Sequence, residues 1–194
     1  MVLPGTVLFP NTLLPLRIFE PRYRAMLEWA LEKDRMFCVA LMKPGITEAE
    51  TDEDFFHTAG IGLVAASITQ ADGTSNLMLN GLARVRFTGF RKGEPFRIAK
   101  TELLRDIEGD REEGKALADS LLAQCKTILA GNSELPESFA DILGRIPEPG
   151  NIADSVAHTL VADAMQRQSL LERQEIPERL RELSQILSIG FQTD

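Results

Sequence analysis

The sequence predicts an α+β chain, β-rich in its first half and helical in its second. Apolar residues alternate with polar ones up to about residue 107, whereas from about Gly109 they recur at helical spacing. Strands come first and helices afterwards, which segregates the two kinds of structure instead of interleaving them. The expected domains are a β-rich subdomain over residues 1–107 and a helical subdomain over 108–194.

In the first half, the apolar runs 6–9 and 13–19 are punctuated by Pro4, Pro10, Pro15 and Pro21. Proline offers no ladder donor, so these prolines are expected at strand ends, edges or bends. Pro21 also suits a first helical turn, and Tyr23, Met26, Leu27, Ala30 and Leu31 follow it at i, i+3, i+4 spacing, predicting one embedded helix. Residues 37–42 read as a buried strand stopped by Pro44-Gly45. Residues 61–70 read as another, turned at Asp72-Gly73. The run 75–90 alternates Leu77 and Leu79, then Val85 and Phe87, across Asn80-Gly81. That dipeptide is either a second tight turn or a bulge bending one long strand; the bulge is favoured, because too few residues remain for a separate strand. A last strand over 96–104 follows a turn at Arg91-Lys92-Gly93.

In the second half, Leu117, Leu121, Cys125 and Leu129 form one helical stripe ended by Gly131 as a C-cap. A shorter helix is expected over 136–146, closed by Pro147-Glu148-Pro149-Gly150. Asn151 is the expected cap of the next, on which Ile152, Val156, Leu160 and Ala164 recur every four residues. Ile176, Leu180, Leu183 and Leu187 follow at heptad-like spacing around Pro177. No internal repeat or low-complexity linker is evident.

Composition narrows the function classes. With 44% hydrophobic and 26% charged residues in 194, the chain can bury a core. Its 29 acidic against 21 basic residues give a net charge of −8, a field that repels a phosphate backbone, so nucleic acid is not an expected partner. The acidic runs 48–54 and 108–113 read as solvated loops. Cys38 and Cys125 lack C-x-x-C spacing, and with only His57 and His158 beside them neither a disulfide framework nor a zinc site is expected. No basic region precedes an apolar signal-type segment, and no run reaches the roughly 20 apolar residues of a membrane span, so the cytoplasm is the expected location.

Motifs for catalysis are missing. The sequence contains no G-x-x-x-x-G-K-[ST], no G-x-G-x-x-G after a strand, and no G-x-S-x-G elbow. The carboxylates sit in loops or on polar helix faces, where nothing tunes a pair for acid–base work. No cofactor is expected. Arg84 and Arg86 share one face of their strand, opposite Val85 and Phe87, as a solvated face or as a docking surface for acidic peptide. Trp29 projects roughly 130° from the apolar stripe of its helix at 100° per residue, so it either packs on a loop or the helical subdomain, or meets a partner.

The run VLFPNTLLPLRIFEPRYR at 7–24 resembles the signature of the Lon protease N-terminal domain family. The likeness continues in Ala40-Leu41, residues 60–64, Asp72-Gly73, LMLNGLARVR at 77–86, and the helical stretch 162–181 with Gln168, Leu170-Leu171 and Arg179-Leu180. It implies a twisted, β-barrel-like (PUA-like) N-terminal subdomain with an embedded helix, followed by a helical bundle. In Lon proteases this domain helps recognise protein substrates and precedes an ATPase and a Ser-Lys protease domain. No phosphate loop or protease motif is present here, and the family supplies no catalytic residues to carry over. The family usually has several more strand residues ahead of Val2-Leu3-Pro4. It commonly has glycine where Asn11 stands, and asparagine tolerates positive φ as well.

The expected function is therefore a non-catalytic module that binds unfolded protein or peptide segments, an adaptor or accessory of proteolysis with protease components among its partners. Two readings of other classes stand beside it: an unrecognised hydrolase or protease-like enzyme, and an RNA-binding module of barrel-like shape. The candidate peptide-binding residues are Arg17, Arg22, Tyr23, Trp29, Arg84 and Arg86.

Overall fold

In the computed structural model, which describes residues 1–91, 95–130 and 138–191, the chain forms two units, Met1–Leu104 and Arg105–Asp194. The first is β-rich and the second helical, so the α+β class stands. The first unit runs β1 (Val2–Leu3), β2 (Leu13–Ile18), α1 (Pro21–Leu31), β3 (Met36–Leu41), β4 (Thr58–Thr69), β5 (Ser75–Arg91) and β6 (Ile98–Leu104). Among the described residues the strands form one sheet in the order β1-β3-β4-β5-β2, with β6 also on β5.

The 17-residue β5 is the spine of this sheet. One edge pairs with β4; the other pairs with β2 along its first part and with β6 along its last. Pro15 lies within β2, which pairs on one side only, as an edge strand containing proline requires. The favoured reading of Asn80-Gly81 holds: β5 does not turn there. Its register against β4 steps at the next residue, from Ile61–Ala83 to Gly62–Gly81, leaving Leu82 extra. An extra residue inverts the faces of everything after it. Leu77 and Leu79 accordingly join the core beneath α1 with Ile18, Met26, Leu27 and Val64, whereas Val85 and Phe87, of the same odd parity, join a second core with Ala40, Phe55 and Ala59.

The expected strand over 6–9 is not one. Val7, Leu8 and Phe9 are buried without strand pairing. The segment lies so close over the sheet that a Cβ on Gly60 would run into the Leu8 carbonyl oxygen, and one on Gly81 into that of Phe9. The turn that follows is fastened by Asn11 N–H to Gly81 O (2.8 Å) and Gly81 N–H to Thr12 O (2.9 Å), with Asn11 at φ +57°. The β4–β5 hairpin is closed by Gln70 N–H to Thr74 O at 2.7 Å, a three-residue loop with Gly73 at φ +79° rather than a two-residue Asp-Gly turn. The expected turn at Lys92-Gly93 and the expected cap at Gly131 lie outside the described residues.

The second unit contains α2 (Arg111–Ala130), α3 (Ser138–Leu143), α4 (Pro149–Leu160), α5 (Ala164–Glu172) and α6 (Ile176–Gly190). Pro136, the expected start of the third-quarter helix, lies outside the described residues. Asn151 does not cap α4: the helix begins two residues earlier with Pro149 in its first turn and Glu148 as N-cap. Ala164 does not continue α4 either, because Asp163 accepts from Gln166 N–H at 2.8 Å and starts α5 there. Residues 105–107 belong with the helices, since Ile107 donates to Gln174 O (2.9 Å) and accepts from Ile176 N–H (3.0 Å).

Candidate functional site

The first unit holds a cavity of about 210 Å³ lined from β3, β6 and α1. Met36, Phe37, Cys38 and Ala40 of β3 wall one side, and Phe96, Arg97, Ile98, Ala99 and Thr101 in and before β6 wall the other. β3 lies between β1 and β4 and β6 lies on β5, so the two walls do not pair with each other. Met26, Trp29 and Ala30 of α1 also line it.

Helix α1 presents these side chains because Pro21 starts it and because Tyr23, Met26, Leu27 and Ala30 bury one stripe. Trp29 falls off that stripe, as its projection predicts, and is 41% exposed; its ring meets that of Phe96, with centroids 5.9 Å apart. Behind this rim, Phe55 stands edge-on to Phe87 (6.1 Å) and to Phe90 (5.6 Å). Phe87 and Phe90 are three positions apart, a spacing that places residues on opposite faces of a regular strand. A second register step in β5, between Phe87 and Gly89, brings their rings together at 5.4 Å. Half of the chain's ten phenylalanines line this one cavity.

Arg97 anchors the wall. Its guanidinium lies over the Phe55 ring at 5.6 Å, donates to the carbonyls of Ala49 (3.1 Å) and Glu50 (2.6 Å), and lies 3.3 Å from Asp52. The acidic run 48–54 is thus mostly exposed but not loose: Ala49 is buried and Thr51 and Asp54 form a capping box. Burial pushes the Cys38 thiol up to about 11, so at neutral pH it is a neutral, weakly polar part of the lining. The His57 ring is tilted against Phe55 (5.9 Å) and edge-on to Phe90 (6.1 Å), with Nε2 2.9 Å from the Asp52 carbonyl oxygen. Among the described residues no group of three metal-ligating side chains occurs, and no helix is long and apolar enough to cross a membrane.

The sequence-predicted residues separate into two sets. Trp29 is on the cavity rim. Arg22 and Tyr23 line an adjoining recess that shares Val2, Met26, Phe96 and Arg97 with the cavity. The Tyr23 hydroxyl is committed to β1, accepting from Val2 N–H (3.2 Å) and donating to Val2 O (2.8 Å); Arg22 stacks on that ring and pairs with Glu20 at 2.8 Å. Arg17, exposed on β2, and Arg86, exposed on β5, do not line the cavity. Arg84 corrects an expectation: it is only 2% exposed and is no part of a solvated face. Phe55, Phe87, Phe90, Phe96 and Arg97 were not singled out from sequence. Their signal was the number of phenylalanines against a single tryptophan and a single tyrosine.

The fold and sequence have close parallels. The family model described as the ATP-dependent protease La (LON) substrate-binding domain matches residues 1–188. The chain is 31% identical over 193 residues to Lon protease 2 of Herpetosiphon aurantiacus, covering 96% of this chain and 23% of that protein. It is 27% identical over 174 residues to the Lon protease of Azospirillum brasilense, covering 90% and 22%. The chain therefore spans about a quarter of the length of the curated relatives it matches. Among solved structures, the N-terminal domain of Mycobacterium avium complex Lon protease superposes with a TM-score of 0.78 at 18% identity, covering 97% of this chain and 96% of that one. A Lon N-terminal domain protein from Xanthomonas campestris gives 0.65 at 21%, covering 95% of each.

Proposed function

Because this chain belongs to the LON substrate-binding domain family, we propose that it is a recognition module for extended, non-native protein segments, seating a bulky apolar side chain in the aromatic cavity. The observation that carries the proposal is the pairing of a half-exposed Trp29–Phe96 rim with a Phe55–Phe87–Phe90 wall behind it. Exposed tryptophan over an apolar recess is the anatomy of an interface hot spot. An engineered cavity of roughly 150 Å³ takes up benzene, so the space here suits one aromatic or branched aliphatic side chain. Unfolded chains expose such side chains and folded ones hide them, which makes the cavity selective for non-native segments. Arg22 and Tyr23 flank the site through the adjoining recess, and Arg17 and Arg86 are peripheral to it. The module recognises without cleaving, acts in the cytoplasm, and serves proteolysis as an adaptor or accessory.

Calorimetry with a permanently unfolded, reduced and carboxymethylated protein as titrant tests this. Phe96→Ala is expected to weaken binding about tenfold or more, a loss of about 1.4 kcal/mol, while Arg17→Ala and Arg86→Ala bind as the parent does. Absence of binding by the parent, or equal binding by Phe96→Ala, overturns the proposal.

A further inference from the structure

β6 has a second edge that no strand among the described residues occupies. The direction of its backbone groups follows from its neighbours. Phe87 N–H donates to His57 O at 2.9 Å, on the β4 side of β5, so the N–H groups of Arg84 and Arg86, one residue out of step, turn toward β6. Opposite them stand Leu104 and Glu102, which return their backbone groups to β5. Thr101 and Leu103 alternate with these, and direct their N–H and C=O groups to the open edge. The register step between Phe87 and Gly89 interrupts β5 and not β6, so Ala99 continues the outward series. Residues 100–103 are all exposed, and no strand among the described residues pairs with this edge. Ile98, Ala99 and Thr101 of the same strand line the aromatic cavity.

We propose that the recognised segment binds as an added β-strand along the free edge of β6, with one bulky apolar side chain entering the aromatic cavity. This rests on the peptide-recognition reading above. The occupant is set by complementarity: the edge offers N–H and C=O dipoles, positive and negative in turn, at a two-residue period of about 6.6–6.8 Å. Only an extended backbone carries the opposite series at that spacing, because a helix spends its own amides internally. Main-chain pairing gives affinity without regard to sequence, and the cavity adds preference for one side chain, the division of labour seen wherever strands are added to sheet edges. Lys100 and Glu102 carry opposite charges on the exposed strand, so the edge imposes little net charge on what it accepts.

The experiment uses the whole chain and an uncharged, end-blocked eight-residue peptide with a central phenylalanine. Binding is read from the fluorescence of Trp29, the chain's sole tryptophan. A set of peptides each carries one backbone N-methyl group. Strand addition predicts that affinity falls at least tenfold at every second position and is retained between them, and that exchange of the Ala99, Thr101 and Leu103 amides slows at least tenfold in the complex. A flat N-methyl profile, or amide exchange in β6 unchanged by a bound peptide, overturns strand addition and leaves cavity binding standing. Failure of the parent peptide to bind overturns both.

Discussion

At the scale of single residues, the clearest case of a side chain fixing the fold is Arg179. It is fully buried on α6, gives Asp106 two hydrogen bonds (3.0 and 2.7 Å), donates to the Arg173 carbonyl (3.0 Å), and has Nε 3.5 Å from Asp154. Gly150 leaves the space: a Cβ there would lie 2.9 Å from both Arg179 Nη2 and Asp106 Oδ2. The ion group thus ties the first residues of the helical unit to α4 and α6. Its removal from one side only is the costly change, because Asp154, 1% exposed, and Asp106 would lose the guanidinium between them with no water to replace it at Asp154. Arg179→Leu is expected to lower stability by about 3–5 kcal/mol in urea denaturation, whereas an exposed pair such as Arg173–Glu178 contributes at most about 1 kcal/mol. In the sequence, Arg179 was visible only as part of a family likeness. A charged residue on an amphipathic helix reads as solvent-facing until its partners, 73 and 25 positions away, are placed beside it.

At the scale of elements, the strand and helix identities were largely legible and the departures cluster where the backbone leaves its regular period. The alternating residues of β4 and β5 and the i, i+3, i+4 stripe of α1 announce themselves because burial on one face forces that spacing. Residues 6–9 misled because an apolar run of that length buries equally well as a strand or as an irregular segment held against glycines. The cavity was illegible for a related reason. Phe87 and Phe90 reach one wall through a register step, and Phe55 and Phe96 arrive from outside the strands, so no periodicity joins them. Only Trp29 was marked, by its angle on a helix whose period is undisturbed. Gly81 tests this account of the β5 spine. Its Cβ position is taken by the Phe9 backbone, which cannot step aside as a flexible side chain could. Gly81→Ala is therefore expected to cost on the order of 3 kcal/mol in the urea midpoint, while Gly89→Ala, with open space around it, costs less than about 1 kcal/mol.

At the scale of the whole molecule, the β-rich unit carries the aromatic cavity and a free strand edge, and the helical unit carries a buried ion group. The acidic net charge suits the proposed recognition by apolar contact and backbone pairing, since neither depends on a field that attracts the partner from afar. In the proposed function, non-native segments are recognised at the cavity in the first unit. Methyl NMR on the chain labelled at its six methionines tests it most directly. Met26 and Met36 line the cavity, Met78 lies at β2 and β5 away from it, and Met165 is on α5 in the second unit. On titration with the phenylalanine peptide, the Met26 and Met36 methyl signals are predicted to shift saturably while those of Met78 and Met165 stay in place. Saturable shifts at Met165 or Met78, with Met26 and Met36 unmoved, would contradict it.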